Sequence, residues 1–511
     1  MKQSDSLILL VNSLSKSEKR IFRMNRKDTD YVALFDIIEK AGIISSQELK
    51  SKYEHKRENS NFNVTAAYLY KTLLDSLLSL RENQGGYYGL LNKIMKASIL
   101  FEKSLFADAL DLLEKIKKEA TLYENYTVLL YASRMELEYL LFLNFPEISE
   151  AKLIQKHFLI SESLKNIRIE NEQSSLYELL KHRMIYKGNV RSQKQKEALN
   201  DLVFAEMSLT SSSKDSFDAR KRHQLFQSNY LINIGDKESA LQSFRELNRL
   251  FENNPQFWAD PPFYYVAVLE GILDNLRSIK NYSEMPYFIE RLRKIKHHSA
   301  GFQVHLAALI FLYELYPLLD RGDFAAAKKL SEKYNDKVLS KMDQINLLRQ
   351  IEISLCMALI HIGLRDYKRA QKMLINEIVH NSSIQTFPLY RTARLVNLII
   401  HYELDNMEYV STECRSIKRE ISKHEKVYRS ERVMISLLKK NKSELINRSS
   451  REKLQHKIEP ELRDIRKDMF ENQLLKSFDF TAWIESKIYR IPLSEALKNR
   501  LVNIPTQSVL V

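Results

Sequence analysis

The sequence predicts an all-α protein, and three observations carry that expectation. Glycine and proline are scarce, 10 of each in 511 residues, where an average chain carries about 7% and 5%. Apolar residues recur at spacings of three, four and seven, the period of a helix and not of a strand. A turn signature returns every 40–47 residues, as expected of a chain built from similar helical hairpins. β-Sandwiches and propellers need turn residues every ~8–12 positions, and this chain has too few.

Bulk composition narrows the class further. Apolar residues make up 44% and charged residues 28%, with a net charge of +14. Such a chain can bury a large core. At about 150 residues per domain it holds three or four domains, or one long array. The positive balance suits nucleic acid, an anionic surface or an acidic protein without selecting among them. Only Cys356 and Cys414 are present, so no disulfide framework is expected and a reducing cytoplasm is the simplest compartment. The apolar run at 7–11 is too short for a signal peptide. The run at 306–319 is broken by Tyr313, Glu314, Tyr316 and Pro317, and falls short of the ~20 residues a membrane span needs. No membrane insertion is expected.

Residues 1–84 lie outside the repeat and predict an N-terminal helical domain. Ser15 with Glu18, and Ser45 with Glu48, have the spacing of capping boxes. Leu34, Phe35, Ile37 and Ile38 make an apolar helix stopped by Gly42. A polar loop is expected at 54–63 and a second apolar helix at 65–80. Gly85 and Gly86 mark the boundary. With a short strand at 43–44 and a helix at 46–53, this order matches a winged helix. Lys50, Lys52, Lys56, Arg57 and Lys71 are then candidate phosphate contacts. Two features oppose DNA binding. The candidate recognition helix spends Tyr68, Leu69, Leu73, Leu74, Leu77, Leu78 and Leu80 on apolar chemistry, and no wing hairpin follows because 87–96 is helical in pattern. The favoured expectation is a cap on the open end of the array, and nucleic acid is a partner not favoured.

The repeating turns stand near 104, 146, 188, 235, 280, 322, 365 and 405. The clearest copies are Gly235-Asp236 before Ala240, Gly322-Asp323 before Ala327, Arg365-Asp366 before Ala370, and Ser104-Leu105 before Ala109. Each unit carries an apolar stripe too broad to bury alone, so neighbouring units must cover one another.

This turn, with a small residue for close helix approach and an apolar residue four beyond the alanine, resembles that of the tetratricopeptide repeat family. The period departs from the family's ~34 residues, which is the mark of lengthened helices. The resemblance covers about residues 90–425. It implies a right-handed α-solenoid of about eight αα-hairpins over 85–425, whose first helices line a concave, partner-binding groove. Counting back from the turns places Glu178, His182, Arg222, Asn229, Asn233, Glu270, Asp274 and Arg277 there. Alternating signs suit an extended peptide or a polar protein surface. Leu225 stands where carboxylate-clamp members of the family place a lysine, so a clamp of that kind is not implied.

Residues 426–511 form a basic C-terminal helical region. Positions 411–470 hold 17 Lys and Arg against 10 Asp and Glu, half the net charge of the chain. Pairs such as Glu425 with Arg429 suggest a solvated helix face. Short helices are expected at 481–489 and from 494. No phosphate loop, dinucleotide fingerprint, HExxH, EF-hand loop or GxSxG is present. The expectation is therefore a non-catalytic scaffold with a protein or peptide partner, no cofactor and no metal. The alternative is a regulator that couples an N-terminal DNA-binding domain to the array.

Overall fold

The structure, a computed structural model, describes residues 3–24, 29–42, 44–57, 60–81, 87–187, 190, 193–212, 216–257, 262–297, 299–374, 388–421, 428–439, 447–468 and 471–502. Every regular element among them is helical and none is a strand.

Five helices make the N-terminal unit: α1 (Gln3–Ser13), α2 (Lys16–Arg23), α3 (Asp30–Ala41), α4 (Ser46–Lys56) and α5 (Phe62–Arg81). Ser15 and Glu18 close a reciprocal capping box at the start of α2, and the Ser45 side chain accepts from the Glu48 amide at the start of α4. Gly42 ends α3 with φ +64°, a conformation that costs a Cβ-bearing residue energy. Leu7, Val11, Phe22, Leu34, Phe35, Leu49, Tyr53, Leu69 and Leu73 form a core separate from the rest of the chain. Two expectations change. α4 continues to Lys56 and α5 begins at Phe62, so both helices extend into the expected loop. Ile44 is not in a strand, and Ile43 lies outside the described residues, as do Gly85 and Gly86. Leu91, Met95 and Ile99 are exposed, Met95 at 66%.

The array begins with α6 (Tyr87–Glu102), α7 (Phe106–Leu122), α8 (Tyr126–Phe142) and α9 (Glu150–Lys187), followed by α10 (Gln193–Glu197) and α11 (Asn200–Ser212). The long helix α9 packs on α8 and also on α11 and α12 (Phe217–Ile234). It can do so because 147–187 contains no glycine or proline to stop it.

Hairpins then follow: α12 with α13 (Lys237–Glu252), α14 (Phe263–Ser278) with α15 (Met285–Lys294), α16 (Ala300–Asp320) with α17 (Phe324–Lys333), α18 (Leu347–Gly363) with α19 (Tyr367–Leu374), and α20 (Pro388–Glu403) with α21 (Met407–Ile421). Their turns explain the repeating signature. Ser104, Gly235, Lys280, Gly322, Arg365 and Asp405 all take positive φ, as do Asn144 and Phe145 near the expected turn at 146. Gly188 lies outside the described residues. Asp236, Asp323 and Asp366 each accept the amide three residues on and so cap the second helix. The alanines one turn later, Ala109, Ala240, Ala327 and Ala370, are all 0% exposed; a larger side chain would hold the paired helices apart. First helices touch in sequence, α14 on α16, α16 on α18 and α18 on α20.

Close approach is tightest at two glycines. A Cβ on Gly271 would stand 2.3 Å from the Phe244 ring, and one on Gly363 would stand 2.1 Å from the Phe324 ring. α16 spans 21 residues, longer than the apolar run suggested. By length and composition it matches a membrane span, but 67% of its most apolar window is buried inside the protein.

The C-terminal helices are α22 (Arg429–Leu438), α23 (Arg448–Lys467), α24 (Glu471–Leu475), α25 (Phe480–Tyr489) and α26 (Leu493–Val502). They share one continuous core with α12–α21, to which Met434, Leu437, Leu462, Ile465, Phe480 and Trp483 belong. Some of their cations pair between helices, while Arg448 with Glu452 and Arg463 with Glu459 pair along their own helix. Arg429 meets Asp468, Arg466 meets Glu485, and Arg500 meets both Asp479 and Glu485. Glu425, the partner expected for Arg429, lies outside the described residues.

Candidate functional site: a polar inner row

α9, α12, α14, α16 and α18 carry polar side chains that meet across helices in two groups, Lys181 with Asn229 and a larger one around Glu270 and Arg277. On α14 the members follow at spacings of four and three, which keeps them on one side of the helix. On α9, Lys181 donates to Asn229 of α12 at 3.1 Å. Burial pushes the Lys181 ammonium below the usual lysine range, although Glu270 and Asp274 pull it back. Asn229 spends its own amide on the Leu225 carbonyl at 2.7 Å.

On α14, Glu270, Asp274 and Arg277 follow one another along the row. Glu270 pairs with Arg349 of α18 at 2.5 Å, and Arg349 also holds Glu352 at 2.6 Å. The Tyr313 hydroxyl of α16 donates to the Glu270 carbonyl at 3.2 Å, and the Tyr316 hydroxyl donates to Glu352. Arg277 is buried. It forks onto Asp320 with two hydrogen bonds of 3.0 Å, and its guanidinium lies 3.7 Å from the Tyr316 ring centroid. Tyr282 donates to the same Asp320 at 3.0 Å. Burial and Asp320 raise the Tyr282 phenol well above its ordinary range.

The end of the chain reaches this row. Lys476, just past α24, places its ammonium 2.5 Å from Asp274 Oδ1 and 3.3 Å from the Asp274 carbonyl. Its own carbonyl accepts from Arg277 Nη2 at 2.7 Å. Burial alone would raise the Asp274 carboxyl, but the Lys476 charge and hydrogen bond hold it below the usual carboxylate range.

Five of the eight nominated groove residues thus lie in or beside this row. Asn229, Glu270, Asp274 and Arg277 are members. Arg222 sits further toward the N-terminal end of α12 and pairs with Asp218 at 2.6 Å. Asn233 instead does a fastening job: its side-chain oxygen accepts the Val190 amide at 3.0 Å and ties down the chain beyond α9. Glu178 and His182 are exposed, and the His182 ring lies tilted against Tyr186 at 4.6 Å. Tyr177 and Lys181, one position earlier, are the α9 residues turned toward the row; burial pushes the Tyr177 phenol up to about 12. Sequence reasoning missed Lys181, Asp320, Arg349, Glu352 and Lys476. The spacing of Tyr313 with Tyr316 and of Arg349 with Glu352 signals shared helix faces. Nothing local points to Lys476.

The nominated N-terminal cations are spread over α4 and α5. Lys50 and Lys52 pair along α4 with Glu54 and Glu48, and Arg57 stands 3.7 Å from Asp30. Lys56 and Lys71 are exposed. Among the aromatics expected to pack between helices, Phe244 and Phe288 are buried, Phe101 stacks on Tyr139, and Tyr131 is exposed.

Two cavities lie apart from the row. One of about 440 Å³ is lined by Glu252, Tyr265, Arg291, Lys294 and Lys296. Another of about 420 Å³ lies between the α18–α19 turn and α25, beside Tyr367, Glu403, Trp483 and Arg490. Among the described residues no three His, Cys, Asp or Glu side chains gather as a metal site. Comparison with protein-family models, curated proteins and solved structures finds no match to this chain.

Proposed function

We propose that this chain is a non-catalytic cytoplasmic scaffold that binds a protein or peptide segment on its polar inner row. In this reading its hairpins stack as a right-handed, tetratricopeptide-like solenoid. The contacts between successive first helices and the capped turns support that stacking. One observation carries the functional reading: α9, α12, α14, α16 and α18 all direct charged or hydrogen-bonding groups into the same row. A row that alternates carboxylates with cations matches the alternating polarity of a peptide main chain and its side chains.

The test is capture from cell extract by the full chain and by its Asp274→Lys variant, with circular dichroism confirming equal helicity. A protein retained by the wild type and lost with Asp274→Lys supports the reading. Equal capture by both chains overturns it.

A further inference from the structure

The row is already occupied at one step by the chain itself, and the occupant's chemistry describes a ligand. Lys476 is read by three contacts. Its ammonium gives two, to the carboxylate and the carbonyl of Asp274, and its carbonyl accepts the third from Arg277. Arg277 cannot swing freely, because its other hydrogen bonds are fixed on Asp320 and its plane lies over Tyr316. The Arg277 guanidinium is thus preorganised before the lysine arrives.

None of the three contacts involves any other part of the C-terminal region. They recognise one lysine together with its own main-chain carbonyl. That carbonyl is free only because α24 ends at Leu475; inside a helix it would be taken by the amide four residues on. The Lys476 side chain is 24% exposed and that of Asp274 is 35% exposed, so a competitor reaches the pair from solvent. Like charge also works against the resident. Lys237 lies close enough that burial, with the charges of Lys476 and Lys280, holds its ammonium below the usual lysine range.

We infer that the Asp274–Arg277 step is a receptor for a lysine-bearing, non-helical peptide segment, and that Lys476 is its resident occupant, displaced when the partner binds. This rests on the scaffold reading above and specifies the partner's chemistry. The partner presents a lysine in a loop or directly after a helix, where its carbonyl is unpaired.

The probe is a fluorescent peptide copying residues 471–480 of this chain, with a second peptide in which its lysine is replaced by alanine. Binding is read by anisotropy on the full-length wild type, Lys476→Glu, and Lys476→Glu with Asp274→Asn. Charge reversal at 476 repels the resident from Asp274 and frees the receptor, so the occupied fraction no longer lowers the apparent affinity. The lysine peptide is expected to bind Lys476→Glu at least tenfold more tightly than wild type. Binding should be lost with the alanine peptide and with the added Asp274→Asn. Should Lys476→Glu fail to fold, Lys476→Ala serves in its place. Equal affinity for wild type and for a helical 476 variant overturns the inference. Capture from extract separates the two readings. A partner lost with Asp274→Lys but retained unchanged by Lys476→Glu sinks the lysine receptor alone, and a partner unaffected by either sinks both.

Discussion

Arg349 reaches Glu270 across 79 residues of sequence, from α18 to α14, passing over the helix that lies between them. Nearest-neighbour stacking does not by itself supply such a contact, since it joins hairpins that are two steps apart. Arg349 is largely buried and holds Glu352 with its other arm. Arg349→Ala leaves two carboxylates without their shared cation. The expected loss is about 1–3 kcal/mol of stability, measured by denaturant unfolding. A double-mutant cycle with Glu270→Gln should show coupling above ~0.5 kcal/mol; additive effects would mean the pair contributes nothing as a pair.

Gly271→Ala places a methyl carbon 2.3 Å from the Phe244 ring. The hairpins must part or the ring must leave its rotamer, at a cost of about 1–3 kcal/mol. Gly301 is the control, because the closest atom to its Cβ would be Ser299 Oγ at 3.8 Å. Gly301→Ala is expected to leave the thermal midpoint unchanged or slightly raised, while Gly271→Ala lowers it. Equal midpoints would show that the two hairpins yield readily.

His223 and Glu206 form a pair at 2.7 Å, joined by Thr210 and Gln227. The hydrogen bond to Glu206 raises the His223 pKa above 6.5. Burial pushes the Glu206 carboxyl up, but its hydrogen bonds from His223 and Thr210 bring it below 4.5. The histidine contribution is complete below the unfolded value near 6.5 and fades as pH rises through the raised folded value. The carboxylate contribution is present above about 4.5 and fades as pH falls through its lowered value. Stability from this pair is therefore greatest between about pH 4.5 and 6.5. Replacing His223 with Gln should flatten the loss of stability above pH 6.5, followed by thermal melts at stepped pH. A wild-type slope that survives in this variant would assign it to another group.

Trp483 anchors α25 to the array. It is fully buried against Tyr402, and its indole donates to Glu403 at 3.1 Å. Trp483→Ala is expected to cost about 3–5 kcal/mol. Trp483→Phe keeps most of the packing and loses the hydrogen bond, a smaller effect of about 1 kcal/mol. Hydrogen exchange should show α25 and α26 opening ahead of α14 and α16 in the alanine variant. Simultaneous opening would make the C-terminal helices part of one cooperative unit.

The turns were the most legible feature, and for a local reason. A residue in the left-handed region followed by a capping aspartate and a small residue is a short-range requirement, so Gly235, Gly322 and Arg365 announce their hairpins. The rotation of a helix about its own axis is less legible. Glu178 and His182 fell outward because Tyr177 and Lys181 occupy the inner face of α9, a shift of one residue or about 100°. That rotation is set by what packs on α9 from α11 and α12, not by α9 alone.

By itself the sequence determined the helical class and the recurring turns near 104, 146, 235, 280, 322, 365 and 405. These depend on backbone conformation and apolar spacing within a few residues. Tertiary structure alone decided which charges meet. Asp274 and Arg277 lie 199 and more residues before Lys476, and only the return of the C-terminal helices onto the common core brings them together. Ion pairs of this kind carry no periodic signal, because their partners are selected by packing in space and not by spacing along the chain.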